Sequence, residues 1–353
     1  MDARQHVVFD KGMTGIVKGF AIVFMLILHC YSRYNFDVAL DYSHSLVGIF
    51  AYSFKICVGI FVFLVGYGYA FSKTKDLKYG LQHIKRLLIP FWTILFVFTL
   101  PFCFDLVIDK GFKIAILNLI GIDATYNYYS WFVYFYIFAM CVMPFISRFI
   151  DKKPVRNTIL VIILSYVLMM TVHEVPRYLA SLGIAAPSMA NNKLVLALFN
   201  SLMMTPGMAA GYLFARQGYY ERIRLQGISK LTALVACPLV IIGCIVMRHY
   251  TAYLSLPFDW DLFYAPLVVG AIAILFNKFE WPVARKTLTK LGELSVYMWF
   301  FHALFFTNAV RWFYQPAITI FEDVNLVFLW TITITFFASW IIKICVDAIL
   351  RKF

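Results

Sequence analysis

Two histidines and several cations stand in stretches of this sequence that are otherwise apolar. His29 lies near the end of GIVKGFAIVFMLILHCYSR (15–33), which carries Lys18 near its start, and His302 lies in LGELSVYMWFFHALFF (291–306). Lys55 interrupts another apolar run. An ionisable group in such a setting is costly to bury, so it marks either a hydrogen-bonded contact between helices or a functional centre. Imidazole titrates near neutrality and suits general acid–base work, whereas a lysine supplies charge to an anion or a developing oxyanion. A separate basic cluster comprises Lys73, Lys75, Lys78 and then HIKRLLIPFW (83–92), with Lys85 and Arg86 placed where a helix is expected to begin. It reads either as a topology anchor touching lipid headgroups or as a phosphate site. In GIFVFLVGYGYAF (59–71), Gly66 and Gly68 flank Tyr67. They suit close helix packing or the passage of a ligand chain along the backbone.

What must position these groups is a membrane bundle. With 62% hydrophobic and 14% charged residues and a mean hydropathy of +0.80, the chain lacks the polar surface of a water-soluble globule. Its apolar runs predict an all-α polytopic membrane protein of about ten transmembrane helices, at 14–32, 46–71, 87–105, 128–147, 156–173, 194–215, 230–248, 262–277, 292–313 and 326–349. Two weaker stretches, 112–122 and 178–189, are read as re-entrant or interfacial. The first run is too long for a signal-peptide core and is expected to stay as a span. The chain, 1–353, is read as one membrane-embedded domain, because no connection is long enough to fold alone.

The basic residues orient this scheme. Of 31 Lys and Arg, 21 fall at the termini or in the even-numbered connections and seven in the odd ones, Arg33 and Arg248 among them. Cytoplasmic loops carry such an excess, so both termini are expected in the cytoplasm, with the chain multi-pass in the plasma or inner membrane. The first span then runs outward from Lys18 to His29, about 16 Å along a helix. The ninth runs the same way and brings His302 to a similar depth, with Lys55 in the outer half of the second. His6 and His83 fall on the cytoplasmic side, and His44, His173 and His249 at or beyond the outer edge.

Other chemistries find no footing in the sequence. His173-Glu174 is followed by Val-Pro-Arg, not by the spacing of a zinc helix, and neither a Walker A pattern nor G-x-S-x-G occurs. No metal is expected. The seven cysteines, all within predicted spans, read as small packing residues. The aromatic residues are spread through the spans, so nucleic acid is not expected as a partner despite the net charge of +13.

Taken together, the motifs resemble the acyltransferase-3 family of integral membrane acyltransferases. Lys18, ten intervening residues and His29 resemble its Arg/Lys-x10-His signature; FVFLVGYGYAF its FF-x-x-SGY segment; KRLLIPFW its basic run before Leu/Ile-Pro-aromatic; and LGELSVYMWFFH its late Leu-Gly-x-x-Ser helix ending in His. The order and spacing match over essentially the whole chain. Lys18 stands where Arg is usual, Val65 where the Ser of SGY stands, and His83 where the first Arg of an RxxR pair stands. With no SGNH hydrolase-like segment following, the chain resembles the stand-alone type.

The resemblance implies an O-acyltransferase of the cell envelope. It would move an acyl group, most often acetyl, from cytoplasmic acetyl-CoA or another acyl-CoA to a hydroxyl of a cell-surface or lipid-linked glycan. His29 would be the general base, and Lys55, Tyr67, Tyr297 or His302 would stabilise the oxyanion or orient the base. Lys18, Lys85 and Arg86 would hold CoA phosphates, with Gly66 and Tyr67 beside the donor. The pantetheine arm, on the order of 15 Å, matches the helical rise between Lys18 and His29. The expected partners are the glycan or glycolipid acceptor and membrane lipids. Homo-oligomers and polysaccharide-biosynthesis proteins stay open as further partners. A transporter or flippase using the same His and Lys as a proton or anion relay is the rival reading, and a scaffold in a polysaccharide-export complex is a third.

Overall fold

A computed structural model of the protein describes residues 6–32, 35–42, 45–183, 192–252, 254 and 258–351. Arg33, His44 and the end of the 178–189 stretch lie outside the described residues. The described chain is helical without a strand, and nine of its helices are long and apolar enough to cross a membrane. In order they are α1 (Lys11–Cys30), α2 (Ile56–Ala70) led by a 3₁₀ run (Leu46–Lys55), α3 (Leu77–Ile94), two short helices α4 (Phe104–Lys110) and α5 (Phe112–Leu119), and α6 (Trp131–Lys152). Then come α7 (Pro154–Met169), which continues through a π turn into α8 (Val175–Ser181), α9 (Lys193–Gln217), α10 (Lys230–Thr251) and α11 (Asp261–Lys278). The chain closes with α12 (Pro282–Glu293), α13 (Ser295–His302), α14 (Arg311–Tyr314) and α15 (Val324–Leu350).

Side-chain caps set several helix starts. Asp10 accepts from the Met13 amide at 2.8 Å, Asp76 from Tyr79 at 2.8 Å, and Asp323 from Asn325 and Leu326 at 2.8 and 3.0 Å. Each satisfies an amide that has no partner within its helix. The Asp76 cap starts α3 ten residues ahead of the predicted boundary at 87. Lys85 and Arg86 are therefore well inside a helix, not at its start.

Close approaches through glycine fix the interior. A Cβ on Gly66 of α2 would overlap the Met208 carbonyl of α9, and one on Gly211 of α9 would overlap the Phe63 carbonyl of α2. Likewise Gly19 of α1 abuts the Leu288 carbonyl and Gly292 abuts Gly15. Small residues of this kind let apolar helices approach at backbone distance, where dispersion replaces the hydrophobic drive that lipid removes. α1, α2, α9 and α11 accordingly form the inside, while α10 and α15 expose most of their apolar length.

The predicted ninth span, 292–313, is not one helix. It breaks at Leu294 into α12 and the short α13, followed by a 3₁₀ turn at Ala303–Phe305 and then α14. Gln315 secures the turn beyond α13: its side-chain amide donates to the Phe305 carbonyl at 3.1 Å and to the Asn35 carbonyl at 2.8 Å, tying that turn to the loop after α1. The fifth span is longer than expected, running from Pro154 to Ser181, so the first part of 178–189 continues a spanning helix. The 112–122 stretch forms α5, mostly at the surface.

Candidate functional site

Two cavities open into the bundle, and α1 contributes to both. One, on the Lys18 side and called the inner cavity after the expected orientation, has about 300 Å³ and is lined by Lys18 of α1, His83 and Arg86 of α3, Gly68, Tyr69 and Tyr136; the other, on the His29 side, is called the outer cavity. Gly68 faces it with no atom within 4 Å of where a Cβ would stand, so the backbone of α2 is bare there. Cations around an otherwise apolar, tyrosine-lined recess suit a phosphorylated ligand with a lipid-like or thioether tail.

The outer cavity, about 410 Å³, holds His29, Asn35, Lys55, Tyr129, Asn200, Arg248, Asp259 and Asp261. His29 is buried to 9% exposure, with its ring centroid 4.3 Å from Tyr129, 5.1 Å from His302 and 5.6 Å from Phe306. The Asn35 amide nitrogen lies 3.4 Å from His29 Nδ1 and donates to the His29 carbonyl at 3.0 Å, so it orients the ring from the loop that follows α1. His302 lines neither cavity. Its Nδ1 donates to the Met298 carbonyl at 3.1 Å, which puts the proton on Nδ1 and leaves Nε2 as a buried lone pair without a hydrogen-bond partner. It therefore backs His29 from behind. The expected common depth of the two histidines is met by direct ring contact.

Lys55 ends the 3₁₀ run, with its ammonium 5.7 Å from the Tyr52 ring centroid. Opposite it stands a buried ion pair: Arg248 Nε donates to Asp261 Oδ1 at 2.8 Å and Nη2 to Oδ2 at 3.1 Å, while Nη1 reaches the Tyr52 carbonyl at 3.1 Å. Asp259, in the turn before α11, is pushed up to about 7 by burial and then by the negative charge of Asp261, against the pull of Arg248 and Lys55. The chamber is thus nearly charge-balanced, rich in hydrogen-bonding groups and bordered by Tyr52, Tyr128 and Trp131. That composition suits a neutral polyhydroxylated molecule.

The sequence-based expectations divide clearly. Lys18 and Arg86 share the inner cavity, and His29 and Lys55 share the outer one. Lys85 is exposed one residue away from the inner cavity, turned aside by the helical rotation of α3. Gly66 and Tyr67 line neither cavity. Gly66 is spent on the contact with α9, and the Tyr67 hydroxyl donates to Glu221 at 2.9 Å, with its ring packed on Phe9 at 4.6 Å. Tyr297 also faces neither. Asn35, Tyr129, Arg248, Asp259 and Asp261 were not anticipated. The signal available was two acids and an arginine bracketing one outer turn, which read as ordinary loop charges.

Comparison with known proteins agrees with this architecture. A family model described as an acyltransferase domain, that of the acyltransferase-3 family, matches residues 15–344. Neither the curated proteins nor the solved structures contain a match. The matched range takes in α1 with both Lys18 and His29, the glycine contacts of α2 and α9, and the broken helix that carries His302. An all-α membrane bundle with these motifs, matched over nearly its whole length, belongs to the acyltransferase-3 family of membrane acyltransferases.

Proposed function

We propose that this chain is an acyl-CoA-dependent O-acyltransferase that takes its donor, acetyl-CoA foremost, from the cytoplasmic face and delivers the acyl group to a glycan or glycolipid hydroxyl in the outer cavity. The observation that carries the reading is one helix serving two cavities: α1 presents Lys18 to the inner one and, eleven residues on, His29 to the outer. Lys18 and Arg86 hold the CoA phosphates at the inner rim, and the pantetheine arm spans the roughly 16 Å between them and His29. Both termini are on the donor side.

His29 takes the proton of the acceptor hydroxyl as its oxygen attacks the thioester carbonyl. The tetrahedral adduct expels the CoA thiolate, which recovers that proton from the imidazolium, so protons and charge balance over the cycle. The Lys55 ammonium faces the charge that develops on the carbonyl oxygen. His302 is a positioning residue, holding His29 through ring contact and offering its Nε2 lone pair to the imidazolium. Removing the Lys18 charge by Lys18→Ala is expected to raise KM for acetyl-CoA by roughly tenfold, the value of one charge-assisted contact, with kcat little changed. Radiometric acetyl-CoA titration checks this, and an unchanged KM would remove Lys18 from the donor site.

Asp259 supports the acceptor side. Ionising through about pH 7, it becomes a stronger acceptor for sugar hydroxyls as pH rises, so KM for the acceptor is expected to fall between about pH 6 and 8. Asp259→Asn should flatten that dependence at the high, low-pH value. A profile that keeps its slope in the variant would assign the titration elsewhere.

A further inference from the structure

The two cavities share no lining residue, and three aromatic rings from three helices stand where their linings meet. Phe61 of α2 and Phe132 of α6 line the inner cavity, and Trp299 of α13 lines the outer. Their rings meet mutually, with centroids 5.4 Å apart for Phe61 and Trp299, 5.1 Å for Phe132 and Trp299, and 6.4 Å for Phe61 and Phe132. Rings at these separations are in van der Waals contact. Trp299 is held in place, since its indole N–H donates to the Tyr129 carbonyl at 3.1 Å and the Tyr129 ring rests on His29. The partition is therefore tied directly to the base, and no polar side chain in it is left to bind water.

A donor that approaches through the inner cavity leads with its acyl end. That end must pass Phe61, Phe132 and Trp299 before the thioester carbonyl can reach His29. We infer that these three rings form a septum that selects donors by the cross-section of the acyl group and, when closed, keeps the two cavities from exchanging water. Rotation of the Phe61 ring, half-buried and without a hydrogen bond, opens a slot for a thin linear group, whereas a branched or aromatic acyl group would have to displace the pinned indole. The sealing role also protects the thioester from hydrolysis between acceptor encounters. The donor-selection half of this inference rests on the acyl-CoA reading above, but the sealing half does not.

The test has two arms on full-length protein in proteoliposomes. In the first, acetyl-CoA and benzoyl-CoA compete as donors for wild type, Phe61→Ala and Trp299→Phe. Wild type is expected to prefer acetyl by at least roughly 100-fold and the variants by less than about 10-fold, within the range that apolar pocket shape commands. The second arm needs no activity. Ser32, half-buried in the outer cavity, is replaced by cysteine, and a membrane-impermeant trimethylammonium methanethiosulfonate is applied from either face. Labelling above the Ser32 parent is expected from the His29 face alone, and from both faces once Phe61→Ala or Trp299→Phe is added. Equal labelling from both faces with all three rings intact would overturn the septum, as would an unchanged donor ratio in variants that remain monodisperse. Side-selective labelling in a protein that consumes no acyl-CoA would leave the septum standing and overturn the proposed donor instead.

Discussion

His29→Ala is expected to lower acyl transfer by about 10²–10⁴-fold, the usual contribution of a positioned general base, while the protein still inserts and purifies. The large effect follows from the setting. His29 is the imidazole that faces the outer cavity, and its ring is fixed by Tyr129, Phe306 and His302 on one side and by Asn35 on the other. His302 is not placed to replace it, because it lies behind it and lines neither cavity. His29→Gln serves as the companion variant, since it keeps polar volume in the cavity without an imidazole to take the proton. If His302 only positions His29, His302→Ala should lower kcat less than His29→Ala does and shift the pH optimum, a change that a merely structural loss would not produce. Steady-state transfer rates across pH, measured on variants of matched monodispersity, distinguish the two.

Asp261→Ala is expected to be the most destabilising single change at the site, by about 3–5 kcal/mol, because it leaves a buried guanidinium without its carboxylate. Arg248 and Asp261 side chains are only 12% and 6% exposed, and their two-point contact joins the C-terminal end of α10 to the N-terminal end of α11 and reaches the Tyr52 carbonyl in the 3₁₀ run that carries Lys55. Losing it therefore displaces Lys55 as well as the helices. Asp261→Asn, which keeps one acceptor oxygen, should cost less. Replacing the pair together by Arg248→Met and Asp261→Leu should recover most of the stability but not the activity, since the cost arises from an unpaired charge more than from lost attraction. Thermal unfolding of the detergent-solubilised variants reads the order; equal losses in Asp261→Ala and the double variant would contradict it.

How much of this was open to a reader of the sequence depends on what each feature responds to. Spans are dictated by long apolar runs, so most boundaries came within a few residues, and His29 stood out because an imidazole in such a run has a cost that demands a reason. The end of this span's helix at Phe305 was hidden, because the backbone there is held by the Gln315 side chain, which also reaches the Asn35 carbonyl far away in the chain. The early start of α3 was signalled by Asp76, but a cap is visible only where it is weighed against the apolar run that follows. Gly66 looked equally suited to packing or to a ligand, and the backbone of α9 decided for packing. Arg248 was counted among the basic residues of the odd connections, and Asp259 and Asp261 stand nearby in the sequence as ordinary loop charges; only the fold turns them inward, where their pairing matters. Trp299 and Phe61 were two aromatics among many until the helices brought them against Phe132.

Transfer of an acyl group by one chain, from a donor on the Lys18 side to an acceptor on the His29 side, is read out in proteoliposomes holding acetyl-labelled acetyl-CoA on one face and a soluble glycan acceptor on the other. Label should appear on the acceptor only when the donor is on the Lys18 face, and Lys18→Ala should weaken the dependence on donor concentration while His29→Ala removes transfer. Transfer at equal rates from either arrangement would overturn the sidedness of the two cavities, and full transfer in His29→Ala would overturn its role as the base.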